Sequence, residues 1–79
     1  MQAILATDKW DAQRAAQEHA ITDYLVVTPR TRDAARGYDL LGALVTRDLR
    51  ATPGYHQVMA AVAPALVKSG QVFTMEARA

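Results

Sequence analysis

The chain has no cysteine, a single serine, two histidines and four glycines among its 79 residues. Without cysteine it holds no disulfide, no thiol nucleophile and no cysteine-type zinc site. His19 and His56 have no second ligand at metal spacing, and Ser69 sits at an expected helix end with no histidine paired to it. The residues therefore point to no catalytic group, no metal and no cofactor. The turn after the first strand, Ala6-Thr7-Asp8-Lys9, has no glycine and no Gly-Lys-Ser/Thr. A phosphate loop or dinucleotide fingerprint needs backbone amides close to phosphate, and side chains in this turn obstruct that approach. No apolar run approaches the ~18 residues of a membrane span. The amino terminus opens into a strand rather than a basic region followed by a long apolar stretch, so a cytoplasmic location is expected. The net charge of +1 gives no global attraction for nucleic acid.

What is present is a repeated pattern. Ile4-Leu5-Ala6-Thr7, Leu25-Val26-Val27-Thr28, Ala43-Leu44-Val45-Thr46 and Gln71-Val72-Phe73-Thr74 are short apolar runs ending in threonine. Three are followed by segments that read as helical, the alternation of a parallel α/β sheet. Strands are expected over 2–6, 24–27, 40–45 and 71–75. The third has the continuous apolar character of a strand buried on both faces.

The first helix is expected over about 8–19, with Thr7 as cap and an alanine stripe at Ala12, Ala15, Ala16 and Ala20. A short helix over 32–36 follows a Thr31 cap and closes at Gly37, which suits a left-handed position. Residues 46–51 read as a loop. Thr52-Pro53 reads as cap and first residue of a third helix, whose Tyr55, Met59, Val62 and Leu66 carry the clearest helical period. Pro64 predicts a kink or a break near Ala63, and Lys68 and Gly70 close the helix. Residues 76–79 read as a frayed tail. The expected core is Ile4, Leu25, Val27, Leu41, Leu44, Val58, Met59, Val62, Leu66 and Phe73.

The fold expected is one α/β domain over 1–79, a four-stranded, mostly parallel sheet with two main helices and one short helix, reduced Rossmann-like. A domain this small buries roughly 60% of its unfolded surface. An open sheet edge or bare sheet face would favour a homo-dimer or another protein partner.

Parallel sheets bind ligands beyond the carboxyl ends of their strands. The candidate ligand residues there are Thr7, Asp8, Thr28, Arg30, Thr46, Arg47 and Asp48. Each also has a structural role open to it, since threonine caps helices and Asp48 can pair with Arg47 or Arg50. Asp8 and Asp48 would converge if strands one and three are neighbours. Lys9 reads either as a solvated lysine or as an anion contact. Arg30, Arg32, Arg36, Arg47 and Arg50 make the middle of the chain locally basic, either a solvated face or a phosphate-binding surface. Trp10 and Tyr55 each begin a helix near one edge of the sheet. Buried, they close the core; exposed, they are material for a protein contact.

The stretch Tyr24-Leu25-Val26-Val27-Thr28-Pro29-Arg30-Thr31, the segment Arg32 to Gly37 and the strand leading to Asp48 together resemble a trimmed piece of a RecA-like or Rossmann-like core. The stretch is similar to small accessory proteins of actinobacterial phages. The likeness covers residues 24–48 and implies a scaffold without the phosphate loop of its NTPase parent, so no catalytic residue is carried across. Two functions follow as expectations. One is a non-enzymatic protein-interaction module, as a phage accessory protein binding a host or phage protein through Trp10 and Tyr55. The alternative is a small nucleotide- or phosphate-binding protein using the carboxyl edge of the sheet.

Overall fold

Apolar strands that alternate between two buried faces, each followed by a helix too short to bury itself alone, pack as helices on a parallel sheet. A computed structural model describes the backbone of residues 2–74 and the side chains of residues 2–66. The strands are β1 (Gln2–Leu5), β2 (Tyr24–Val27), β3 (Leu40–Val45) and β4 (Leu66–Thr74), and the helices are α1 (Lys9–Glu18), α2 (Arg47–Arg50) and α3 (Tyr55–Val62). Single 3₁₀ turns lie at Arg32–Ala35 and Ala63–Ala65. The strand order is β2-β1-β3-β4, with every neighbouring pair parallel.

The register sorts side chains into two layers. Ala3, Leu5, Val27, Ala43 and Val45 join Ala35, Leu49, Val58 and Val62 beneath the first 3₁₀ turn, α2 and α3. Ile4 joins Ala6, Ala12, Ala15 and Ala16 beneath α1, with Tyr24, Val26 and Leu44 half-buried beside them. β1, β2 and β3 each therefore contribute to both layers. β1 and β3 are the two interior strands and both are covered on both faces: Ala3, Ile4 and Leu5 are all buried in β1, and in β3 Ala43 and Val45 face one layer while Gly42 and the half-buried Leu44 face the other. Leu41 departs from the expected core at 64% exposure, because the β3–β4 register is irregular between Leu40 and Gly42. Phe73 lies outside the residues with described side chains.

Other boundaries move for local reasons. Asp8, not Thr7, caps α1, its Oδ1 accepting from the Asp11 amide at 2.8 Å. Residues 47–50 form α2 rather than a loop, because the Thr46 hydroxyl caps it by accepting from the Leu49 amide at 3.2 Å. Thr52 does not cap α3; its hydroxyl donates back to the Leu49 carbonyl at 2.8 Å, and Gly54 precedes the helix. Thr31 makes no side-chain cap to the turn it precedes. Pro64 ends α3 as anticipated, and the following 3₁₀ turn passes directly into β4 from Leu66, so Lys68 and Gly70 lie within a strand and not at a helix end. The tail from 75 lies outside the described residues. Among those described, no helix is long and apolar enough to cross a membrane.

Candidate functional site at the strand carboxyl ends

The two interior strands, β1 and β3, send their following helices to opposite faces of the sheet. A crevice opens at such a divergence in parallel sheets. Here side chains of this chain fill it. Asp11, on the first turn of α1 and 7% exposed, aims its carboxylate across the gap. Its Oδ2 accepts from the Thr7 amide at 3.1 Å, the Thr7 hydroxyl at 3.2 Å and the Thr46 hydroxyl at 2.5 Å. Its Oδ1 accepts from Arg14 Nη2 at 2.8 Å, and the same nitrogen donates to Asp48 Oδ2 at 2.8 Å. Thr46 uses its hydroxyl fully, donating to Asp11 and accepting from Leu49.

Burial pushes the Asp11 carboxyl up, but the hydrogen bonds from Thr46, Thr7 and Arg14 together outweigh it and hold the group below its ordinary value of 3.8. The Arg14 guanidinium is held more firmly protonated than usual, chiefly by its bond to Asp48 and then by its bond to Asp11. This is a closed brace between β1 and β3. No buried side-chain nitrogen or oxygen among the described residues lacks a partner.

The predicted ligand residues therefore divide. Thr46, Arg47 and Asp48 belong to the brace or its rim, with Arg47 Nε 3.9 Å from Asp48 Oδ1. Asp8 and Asp48 do not share a site: Asp8 caps α1 while Asp48 bonds Arg14. Thr7, Asp8, Thr28 and Arg30 instead line an open cleft of ≈ 830 Å³ over the ends of β1 and β2, together with Lys9, Val26, Thr31 and Ala34. Arg47 is not among its lining residues, so the expectation of Arg30 and Arg47 in one cleft fails. Thr28 and Thr31 form its far wall. The Thr31 hydroxyl oxygen accepts from the Thr28 amide at 3.1 Å, and the two hydroxyl oxygens are 2.9 Å apart.

Lys9 and Arg30 make no ion pair with any described residue. The Lys9 ammonium lies over the Trp10 ring, 5.8 Å from its centroid, and Trp10 is 72% exposed. Tyr55 is placed differently. It packs half-buried against the α3 layer, its ring tilted against His56 at 5.2 Å. Trp10 and Tyr55 thus start helices that cover opposite faces of the sheet, and they do not form one patch.

The locally basic segment also divides. Arg30 lines the carboxyl-edge cleft, whereas Arg36 lines a second cleft of ≈ 540 Å³ before β3, with Tyr38 and Asp39. Arg32 donates to Gln57 of α3 at 3.2 Å. Among the described residues, no three of histidine, cysteine, aspartate and glutamate are grouped to hold a metal.

The residues that sequence reasoning missed are Asp11 and Arg14. Their spacing of three along a helix is the signature of an intrahelical ion pair, but the bonds to Thr46 and Asp48 depend on β1 and β3 being neighbours. Fold and edge define a small α/β domain with a parallel sheet and an open, cation-lined cleft at its carboxyl edge. Comparison with protein-family models, curated proteins and solved structures finds no match.

Proposed function

We propose that this protein is a non-enzymatic binding module whose ligand site is the cleft over the carboxyl ends of β1 and β2. The observation that carries the reading is the cleft's lining: Lys9 and Arg30, both without an ion-pair partner among the described residues, with Thr7, Thr28 and Thr31. Its volume of ≈ 830 Å³ falls in the range of small-molecule sites. Two cations and hydroxyl groups suit an anionic, phosphate-bearing ligand. The non-enzymatic part of the reading rests on the acids nearby. Asp11 is committed to the brace, Asp8 to a helix cap and Asp48 to Arg14.

Thermal unfolding against inorganic phosphate, phosphorylated metabolites and nucleotides tests it. A ligand at 100 times its dissociation constant adds about 2.7 kcal/mol, which raises Tm by about 10 °C or more in a domain of this size. A flat response across the panel refutes the reading.

The exposure of Trp10 favours a second reading, a module that contacts a protein partner or a second copy of itself. On that reading Trp10→Ala abolishes partner capture at unchanged Tm. A reduced Rossmann-like scaffold is supported by the strand order and the placement of α1 and α3 on opposite faces. An origin as a phage accessory protein rests on the likeness of residues 24–48 alone.

A further inference from the structure

We infer that the cleft takes a mononucleotide-type ligand, its phosphate between Lys9 and Arg30 and its base stacked on Trp10. The inference rests on the carboxyl-edge reading above and names its ligand. Three observations converge on it.

The first is charge. Lys9 and Arg30 line the same cleft from different elements, one at the start of α1 and one after β2. The only acid in the lining is Asp8, whose Oδ1 is engaged by the Asp11 amide at 2.8 Å. That bond engages only the Asp11 amide of the first turn of α1, and the charge offered to a phosphate is that of the two side-chain cations.

The second is hydroxyl accounting. Thr28 and Thr31 carry two hydroxyl protons, and the 2.9 Å contact between their oxygens uses one of them. The other is left to donate. When Thr28 donates within the pair, the free proton is on Thr31, which is exposed and lines the cleft. The Thr7 hydroxyl proton is already given to Asp11.

The third is the indole. Trp10 lies outside the cleft lining, and Lys9 is the link to it: its side chain lines the cleft and its ammonium lies over the Trp10 ring. Trp10 is 72% exposed in a chain of marginal core size, so packing does not account for its position. An aromatic base stacks on such a face without sequence-specific contacts. Inorganic phosphate alone leaves the indole unused. A polynucleotide is disfavoured, because the net charge is +1 and the arginines are dispersed over both ends of the sheet. Without a glycine loop the phosphate is held by side chains, so binding weakens as salt rises.

Trp10 is the only tryptophan, so its fluorescence reports the site alone. The probes are AMP, adenosine and inorganic phosphate, titrated by fluorescence and by calorimetry into the full chain and into Trp10→Leu, Lys9→Gln and Arg30→Gln. Each variant is first shown to keep the parent Tm. AMP is expected to quench Trp10 saturably and to bind more tightly than either adenosine or phosphate. Trp10→Leu weakens AMP about tenfold and leaves phosphate binding unchanged. Lys9→Gln and Arg30→Gln each weaken AMP and phosphate together by a similar factor.

If phosphate binds but AMP binds no tighter and Trp10→Leu changes nothing, the nucleotide inference falls and the anion cleft stands. If AMP and adenosine bind alike and Arg30→Gln has no effect, the phosphate seat is wrong. If neither AMP nor phosphate binds, both the inference and the carboxyl-edge reading fail.

Discussion

Ala20 occupies a backbone conformation that suits glycine. It has φ 55°, and the amides of Ala20 and Ile21 donate to the Gln17 and Ala16 carbonyls at 3.3 and 2.8 Å. These are the two bonds of a Schellman cap. An L-residue in the left-handed region costs about 1 kcal/mol. Ala20 is exposed, so Ala20→Gly removes strain without opening a cavity. The expected outcome is stabilisation by about 1 kcal/mol, read as a Tm rise of roughly 4–8 °C. An unchanged or lower Tm contradicts the cap.

Asp11 links charge to stability. Its carboxyl is held below the ordinary 3.8 in the folded protein. A depressed folded value means the unfolded chain binds the proton more tightly. The brace is therefore at full strength above pH ~4 and weakens as the pH falls through the lower folded value. Asp11→Asn removes the charge from a buried set of bonds and is expected to cost about 2 kcal/mol at neutral pH. The gap between parent and variant should narrow in acid, measured by urea unfolding at pH 7 and near pH 3. A constant gap assigns the bonds no ionic character.

The elements follow local rules more closely than long-range ones. β2 and β3 lie where their apolar runs place them, and α1 falls within the expected span, because the apolar runs, the alanine stripe and Gly37 are local signals. The misread element is α2, four residues long and anchored by Leu49, which is fully buried. One apolar residue in a polar hexapeptide carries no period, so only the tertiary layer beneath it decides. Leu49→Ala is expected to cost about 2–5 kcal/mol, enough to unfold much of a domain this small, as circular dichroism would show. A loss under 1 kcal/mol would return the segment to a loop. The two-faced burial of β3 was legible from its apolar run, whereas that of β1 follows from a strand order set by crossovers that no local window contains.

At the scale of the molecule, that same order decides the site. Placing β1 between β2 and β3 separates seven predicted residues into a brace and a cleft. The threonines after each strand were legible because their type and position recur. Their division was not, because Thr46 reaches Asp11 across 35 positions of chain. Lys9 could not be distinguished from a solvated lysine until its place in the cleft wall with Arg30, and its ammonium over the Trp10 ring, were known. The brace has a functional consequence. By tying the ends of β1 and β3 together it fixes the turn carrying Thr7, Asp8 and Lys9, so the near wall of the cleft is set before a ligand arrives.

Above all, the cleft over β1 and β2 is proposed to bind a phosphate-bearing ligand. An amide NMR titration of the isotope-labelled chain with AMP addresses it residue by residue. Saturable shifts are expected at Thr7, Lys9, Trp10, Thr28, Arg30 and Thr31, with Arg36, Tyr38 and the second cleft unmoved. Shifts centred on the second cleft, or none at any AMP concentration reached, would contradict it.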